Sequence, residues 1–219
     1  MSDVELCNDA LGYIGKADIN NLTDPEPAAR QCAKFLPRTL RELQARYDWE
    51  HNLNVVDIAA QTAASTFPGF TYKHKLPADF LRFSGLTSTE ATTTSMLDAT
   101  FSPTSDNDTS YEARYLRDLS RKQPVAMRIS KGFIHTNFTP IRLVYHQHLS
   151  DTTTLPEMFR AAVVAQLAAK LVFPLTRDVN LTADLREMAA QAIGAAQDNE
   201  DNDEITEAPI GSTFEDARR

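Results

Sequence analysis

With 219 residues, 42% hydrophobic and 24% charged, the chain has the composition of an ordinary globular protein, and about 70% of its unfolded surface can be buried in one large domain or two small ones. The formal charge of −8 is concentrated: residues 198–219 hold eight acids against Arg218 and Arg219, a net of −6, while the other 197 residues carry 20 basic and 22 acidic side chains. A nearly neutral body disfavours a general nucleic-acid binder, which needs a basic stripe. The most apolar stretch, 159–173, is interrupted by Gln166 and Lys170 and falls short of the ~18 apolar residues of a membrane helix.

The opening residues, Met-Ser-Asp-Val-Glu, lack the basic and apolar regions of a signal peptide, so a chain that folds in a cytosol is expected. Ser2-x-x-Glu5 has capping-box spacing, and Val4, Cys7, Leu11 and Ile14 recur at helical intervals up to Gly15. After a turn-rich stretch, Cys32, Phe35, Leu36, Leu40, Leu43 and Tyr47 step at three and four residues, which predicts a second helix to about Asp48, bent at Pro37. Cys7 and Cys32 fall on these helices beside aliphatic residues and read as small core hydrophobes.

From Trp49 to about Leu149 the period shortens, as in Phe70-Thr71-Tyr72-Lys73-His74-Lys75-Leu76 and Ile141-Arg142-Leu143-Val144-Tyr145, and strands are predicted. Ser130-Lys131-Gly132 reads as a hairpin turn. Residues 87–110, rich in Thr, Ser, Asp and Asn, read as a long mobile surface loop.

Thr154-Leu155-Pro156-Glu157 repeats the capping-box spacing and opens an alanine-rich helix that Pro174 is expected to stop. Ala161, Ala162, Ala165, Ala168 and Ala169 let neighbours approach this helix closely on more than one side. Leu181, Leu185, Met188, Ala192, Ile193 and Ala196 form the stripe of a last helix over 181–197. The acidic residues 198–219 cannot order themselves alone.

The expected fold class is therefore α+β. A four-helix unit is built from the N- and C-terminal helix pairs, residues 1–48 and 154–197, around an inserted β-rich region, 49–153, with its mobile loop, and an acidic C-terminal arm extends over 198–219.

Chemistry-bearing motifs are sparse. His146 and His148 would share one side of a strand but have no cysteine or carboxylate pair at ligand spacing, so they read as exposed strand-end histidines. Asp79 near Arg82 and Glu112 near Arg114 read as strand-end caps and surface ion pairs rather than an acid/base couple. There is no nucleophile elbow and no phosphate-cradling glycine loop, with seven glycines in all. Lys73, His74, Lys75 and Arg82 beside Phe70, Tyr72 and Phe80 form a small basic-aromatic cluster, most simply a solvated strand face. No enzymatic activity, cofactor or metal is expected.

Three segments together carry a resemblance: Leu6-Cys7-Asn8-Asp9-Ala10-Leu11-Gly12, the strand Phe70 to Leu76 leading into Pro77-Ala78-Asp79-Phe80-Leu81-Arg82, and Leu167-Ala168-Ala169-Lys170-Leu171. Over about residues 1–197 the chain resembles the head-to-tail adaptors of short-tailed bacteriophages, the tail tubular protein A family, with Leu-Pro-x-Asp-x-Leu-Arg the most specific element. The family's opening helix has a Cys-Asn-x-Ala-Leu core, and its long second helix ends near a tryptophan, here Trp49. The chain departs from the family pattern in the loop 87–110 and in the acidic arm, which do not match it residue by residue.

The resemblance implies a structural virion protein made in the host bacterial cytoplasm and placed at the head-tail junction. It implies a homo-oligomeric ring, dodecameric in that family, joining the portal protein to the tail nozzle protein and continuing a channel through which DNA passes without sequence-specific binding. An alternative is a helical DNA-binding or regulatory protein. Two residue-level expectations accompany this reading. Leu81 is buried, so Leu81→Asp unfolds the insertion; and Ile205, Pro209, Ile210 and Phe214 are spaced anchors of an arm that docks on the portal.

Overall fold

A computed structural model describes residues 2–88, 116–117 and 125–203. The elements run α1 (Asp3–Tyr13), α2 (Pro27–Arg46), β1 (Leu53–Ile58), β2 (Tyr72–Lys75), β3 (Phe80–Ser88), β4 (Arg128–Ser130), β5 (Phe133–Thr136), β6 (Ile141–Gln147), a 3-10 turn (Thr152–Thr154), α3 (Glu157–Thr176) and α4 (Val179–Asp203). Helices and two small antiparallel sheets make the molecule α+β.

The first helix starts as its sequence dictates. Ser2 Oγ accepts from the Glu5 N–H at 3.3 Å, and the Glu5 carboxylate accepts from the Ser2 N–H at 2.6 Å, which satisfies two of the donors a helix start leaves open. Past Gly15, whose φ of 64° needs no side chain in the way, the Asn8 side chain bonds both backbone groups of Ile19 at 2.9 and 3.1 Å and folds the connection back on α1. Pro27 opens α2, and Pro37 lies within a helix unbroken to Arg46.

The second capping box does not form. Asp151 caps the 3-10 turn at Thr152–Thr154 instead, and α3 begins after Pro156 with no side-chain cap. Nor does Pro174 end α3. It lies in the last turn, where it removes one N–H without breaking the helix, and the helix stops at Arg177, which takes a left-handed φ of 59°. Asp178 then accepts from the Leu181 N–H at 3.0 Å to start α4, which runs to Asp203, beyond the expected end at Gln197.

One hydrophobic cluster joins all four helices. Leu6, Cys7 and Leu11 of α1, Cys32, Leu36 and Leu43 of α2, Phe159, Leu167 and Leu171 of α3, and Leu185 and Ile193 of α4 meet in it, and Trp49 belongs to it as well. Within it, α3 packs against each of the other three helices. Cys7 and Cys32 are fully buried free thiols. By length and composition α3 could cross a membrane, with a mean hydropathy of 1.5, contrary to the sequence expectation; its apolar residues are the centre of the helical core.

The first sheet has the order β1-β6-β3 and the second β2-β5-β4. Ile134 of the second sheet joins Leu86, Ile141, Leu143 and Tyr145 of the first in a shared cluster, with Leu76, Phe80 and Phe83 against it. Leu116 covers Leu53 and Val144. The hairpin β4-β5 turns at Lys131 and Gly132, both at positive φ, 50° and 78°, the mirror-image turn that matches strand twist. Of the expected loop 87–110, Thr87 and Ser88 belong to β3 and the rest lies outside the described residues.

Candidate functional site

The Leu76 to Arg82 segment enters β3 where the helices meet the first sheet. Leu76 packs on the sheet cluster, and the Pro77 carbonyl accepts from the Phe80 N–H at 3.2 Å to close a turn. Asp79 does not pair with Arg82. Its carboxylate accepts from the Tyr145 hydroxyl at 3.2 Å, and its carbonyl from the His148 N–H at 2.8 Å. Burial first, then the Asp79 charge, pushes the Tyr145 phenol up to about 12.

Arg82 instead reaches α2's end, donating to the Tyr47 carbonyl at 2.9 Å and to the Asp48 carboxylate. Phe70 and Tyr72 are half-buried, at the approach to and start of β2. Leu81 is only half-buried and belongs to none of the three clusters. The reason is a β-bulge: Phe80 faces Gln147 and Arg82 faces His146, so Leu81 is the extra residue that the alternation did not foresee. The expectation that Leu81→Asp unfolds the insertion is therefore withdrawn.

His146 and His148 are not exposed strand-end residues. Because β6 is the central strand, His146 is 1% exposed. Its Nδ1–H donates to Asn52 Oδ1 at 2.7 Å, which leaves Nε2 to accept from Arg82 at 3.1 Å. Burial, with the Arg82 cation beside it, lowers this imidazole to about 4, so it is neutral at pH 7. His148 donates from Nδ1 to Gln44 Oε1 at 2.8 Å, and Gln44 also holds the Leu149 backbone. The result is a polar seam joining α2 to the first sheet, buried at Gln44, Asn52 and His146 and half-buried at Arg82 and His148.

Sequence reading missed Gln44 and Asn52. The available signal was Gln44 four residues after Leu40, a polar group on the apolar stripe of α2. The basic-aromatic cluster also divides, since His74 is fully buried between the Ile58 carbonyl at 3.2 Å and the Thr136 hydroxyl at 3.1 Å.

The expected arm begins inside α4. Glu200 accepts from the Glu50 N–H at 3.1 Å and from His51 Nδ1 at 2.5 Å, next to the mutually tilted rings of His51, Trp49 and Phe159. Ile205, Pro209, Ile210 and Phe214 lie outside the described residues. Among the described residues no group of three His, Cys, Asp or Glu could hold a metal. A groove of about 650 Å³ runs between α1 and α3, lined by Asp9, Gly12, Tyr13, Glu157, Arg160 and Val164. Comparison with protein-family models and with curated proteins finds no match for the chain.

Proposed function

We propose that the chain is a structural subunit of a ring that connects a phage portal to the tail nozzle and continues the DNA channel. The observation that carries the reading is the Leu-Pro-x-Asp-x-Leu-Arg segment and the work its polar residues do. Asp79 ties the turn to β6 through Tyr145, and Arg82 ties β3 to the end of α2. This explains why one chain would need those residue types there: they fix the angle between the helices and the sheets, and a ring subunit is a wedge whose angle must be constant.

Support also comes from the four helices, read as one wedge-shaped unit around α3, and from the apolar side chains left on its outside. Tyr13 (53% exposed), Phe173 (56%) and Val179 (69%) lie on α1, α3 and α4, where neighbouring subunits would cover them. In this reading the portal and nozzle are the protein partners, the chain acts in the virion at the head-tail junction, and it performs no catalysis.

The mass of the purified particle, measured by light scattering with and without portal, tests the proposal. The expected result is a discrete closed oligomer that forms or is stabilised when portal is present. A monomer under both conditions at every concentration would overturn it.

A further inference from the structure

The net charge of the molecule conceals a segregation by sheet. The segments that build the second sheet, residues 59–76 and 125–140, contain Lys73, Lys75, Arg128 and Lys131 and not one Asp or Glu, although the chain as a whole is at −8. Register puts three of these cations on one face. Lys73 lies opposite His135 and Lys75 opposite Phe133, while Arg128 lies opposite His135 from the other side. Alternation sends Tyr72, His74 and Ile134 to the other face, and Ile134 and His74 are fully buried there. Lys131 extends the cationic face into the hairpin turn.

Aromatic rings underlie the cations. Lys73 Nζ lies 5.4 Å from the ring centroid of Phe133, and the Arg128 guanidinium lies 4.5 Å from that of Phe67. Phe67 packs edge-on to His135 at 4.7 Å. Lys75, Arg128 and Lys131 are exposed, and among the described residues no carboxylate pairs with any of the four cations. The surroundings of His135 reflect the same one-sided charge: burial lowers its affinity for a proton first, followed by Lys73, Arg128 and His74.

We propose that this face of β2-β5-β4 is a docking surface for the sugar-phosphate backbone of double-stranded DNA, bound without regard to sequence. Unpaired cations interleaved with aromatic rings suit a polyanion. Lys73 and Lys75 are about 6.8 Å apart along one strand, and Arg128 lies about 9.6 Å away across two strand spacings. A DNA strand offers a phosphate for about every 3.4 Å of axis, so each cation can meet a different phosphate. In this reading the cations meet phosphate oxygens rather than base edges, which makes charge the recognition element. The inference goes beyond the connector reading and does not need it, since it concerns one face of a single chain.

Fluorescence anisotropy of the full-length chain with labelled mixed-sequence duplexes, between about 25 and 200 mM salt, tests it. The expected result is binding of equal strength to unrelated sequences, with a log-log salt slope of about −3. K73Q/K75Q/R128Q should weaken binding at least tenfold and flatten the slope, K73R/K75R should retain binding, and K16Q/K34Q on the helical side should change nothing. If the triple variant melts early, K75Q/K131N, at two exposed positions, decides the matter with an expected loss of several-fold. No binding at low salt, undiminished binding by the cation variants, or binding to phosphatidylserine vesicles in place of duplex would overturn the proposal. Oligomeric mass is read separately, so failure here leaves the ring proposal standing and the reverse.

Discussion

His146 shows how a single side chain can set the acid limit of the fold. It is neutral and buried, donating to Asn52 and accepting from Arg82. Its folded value of about 4 lies below the ordinary 6.5. As pH falls, the unfolded chain therefore takes up the proton first. The stability it contributes is complete above about pH 6.5 and is lost between there and about pH 4, on the order of 2–3 kcal/mol in all. His148 and His135 are lowered in the same direction by burial. Urea midpoints should fall between about pH 7.5 and about pH 4.5, and His146→Gln should remove on the order of 2–3 kcal/mol of that fall while reducing stability at about pH 7.5. An equal acid loss in wild type and variant would refute the assignment.

At the scale of elements, two glycines predict opposite effects of one substitution. Gly132 sits at φ 78° in the β4-β5 turn, and a Cβ there would meet nothing within 4 Å, so only the backbone opposes a side chain. Gly132→Ala should cost about 1 kcal/mol through the left-handed strain. Gly12 lies inside α1 with the same open surroundings, and Gly12→Ala should stabilise by about 0.5–1 kcal/mol. Denaturant unfolding of both variants checks the pair, and the same sign for both would contradict it.

The hairpin and the Ser2 cap were legible in the sequence because each depends on residues within three or four positions. His146 and Leu81 were not. Burial of His146 follows from β6 pairing with β1 and β3, strands that start 88 and 61 residues earlier, and the bulge at Leu81 appears only in that pairing. The Pro174 stop failed for the same reason, since packing across α3 outweighs one lost N–H.

For the whole molecule, the site of Glu200 moves the boundary between body and arm. A cut after Gln197 would remove the carboxylate that bonds Glu50 and His51 and would disturb the Trp49 and Phe159 packing. The informative cut follows Asp203, the end of α4. A chain truncated there should keep its circular dichroism and melting temperature and lose co-sedimentation with portal. Retained co-sedimentation would overturn the expectation that Ile205, Pro209, Ile210 and Phe214 anchor the chain on the portal.

The position of α3 has a consequence in time. Contacts that fill the apolar faces of α1 and α2 come chiefly from α3, whose first residue is Glu157, while α2 ends at Arg46. At a ribosomal rate of about 5–20 residues per second, more than a hundred residues must be added before Phe159 can reach Trp49, an interval on the order of 10 s. Throughout it Leu36, Leu40 and Leu43 lack the α3 side chains that bury them in the folded chain, so the N-terminal helices carry an uncovered apolar stripe for that time.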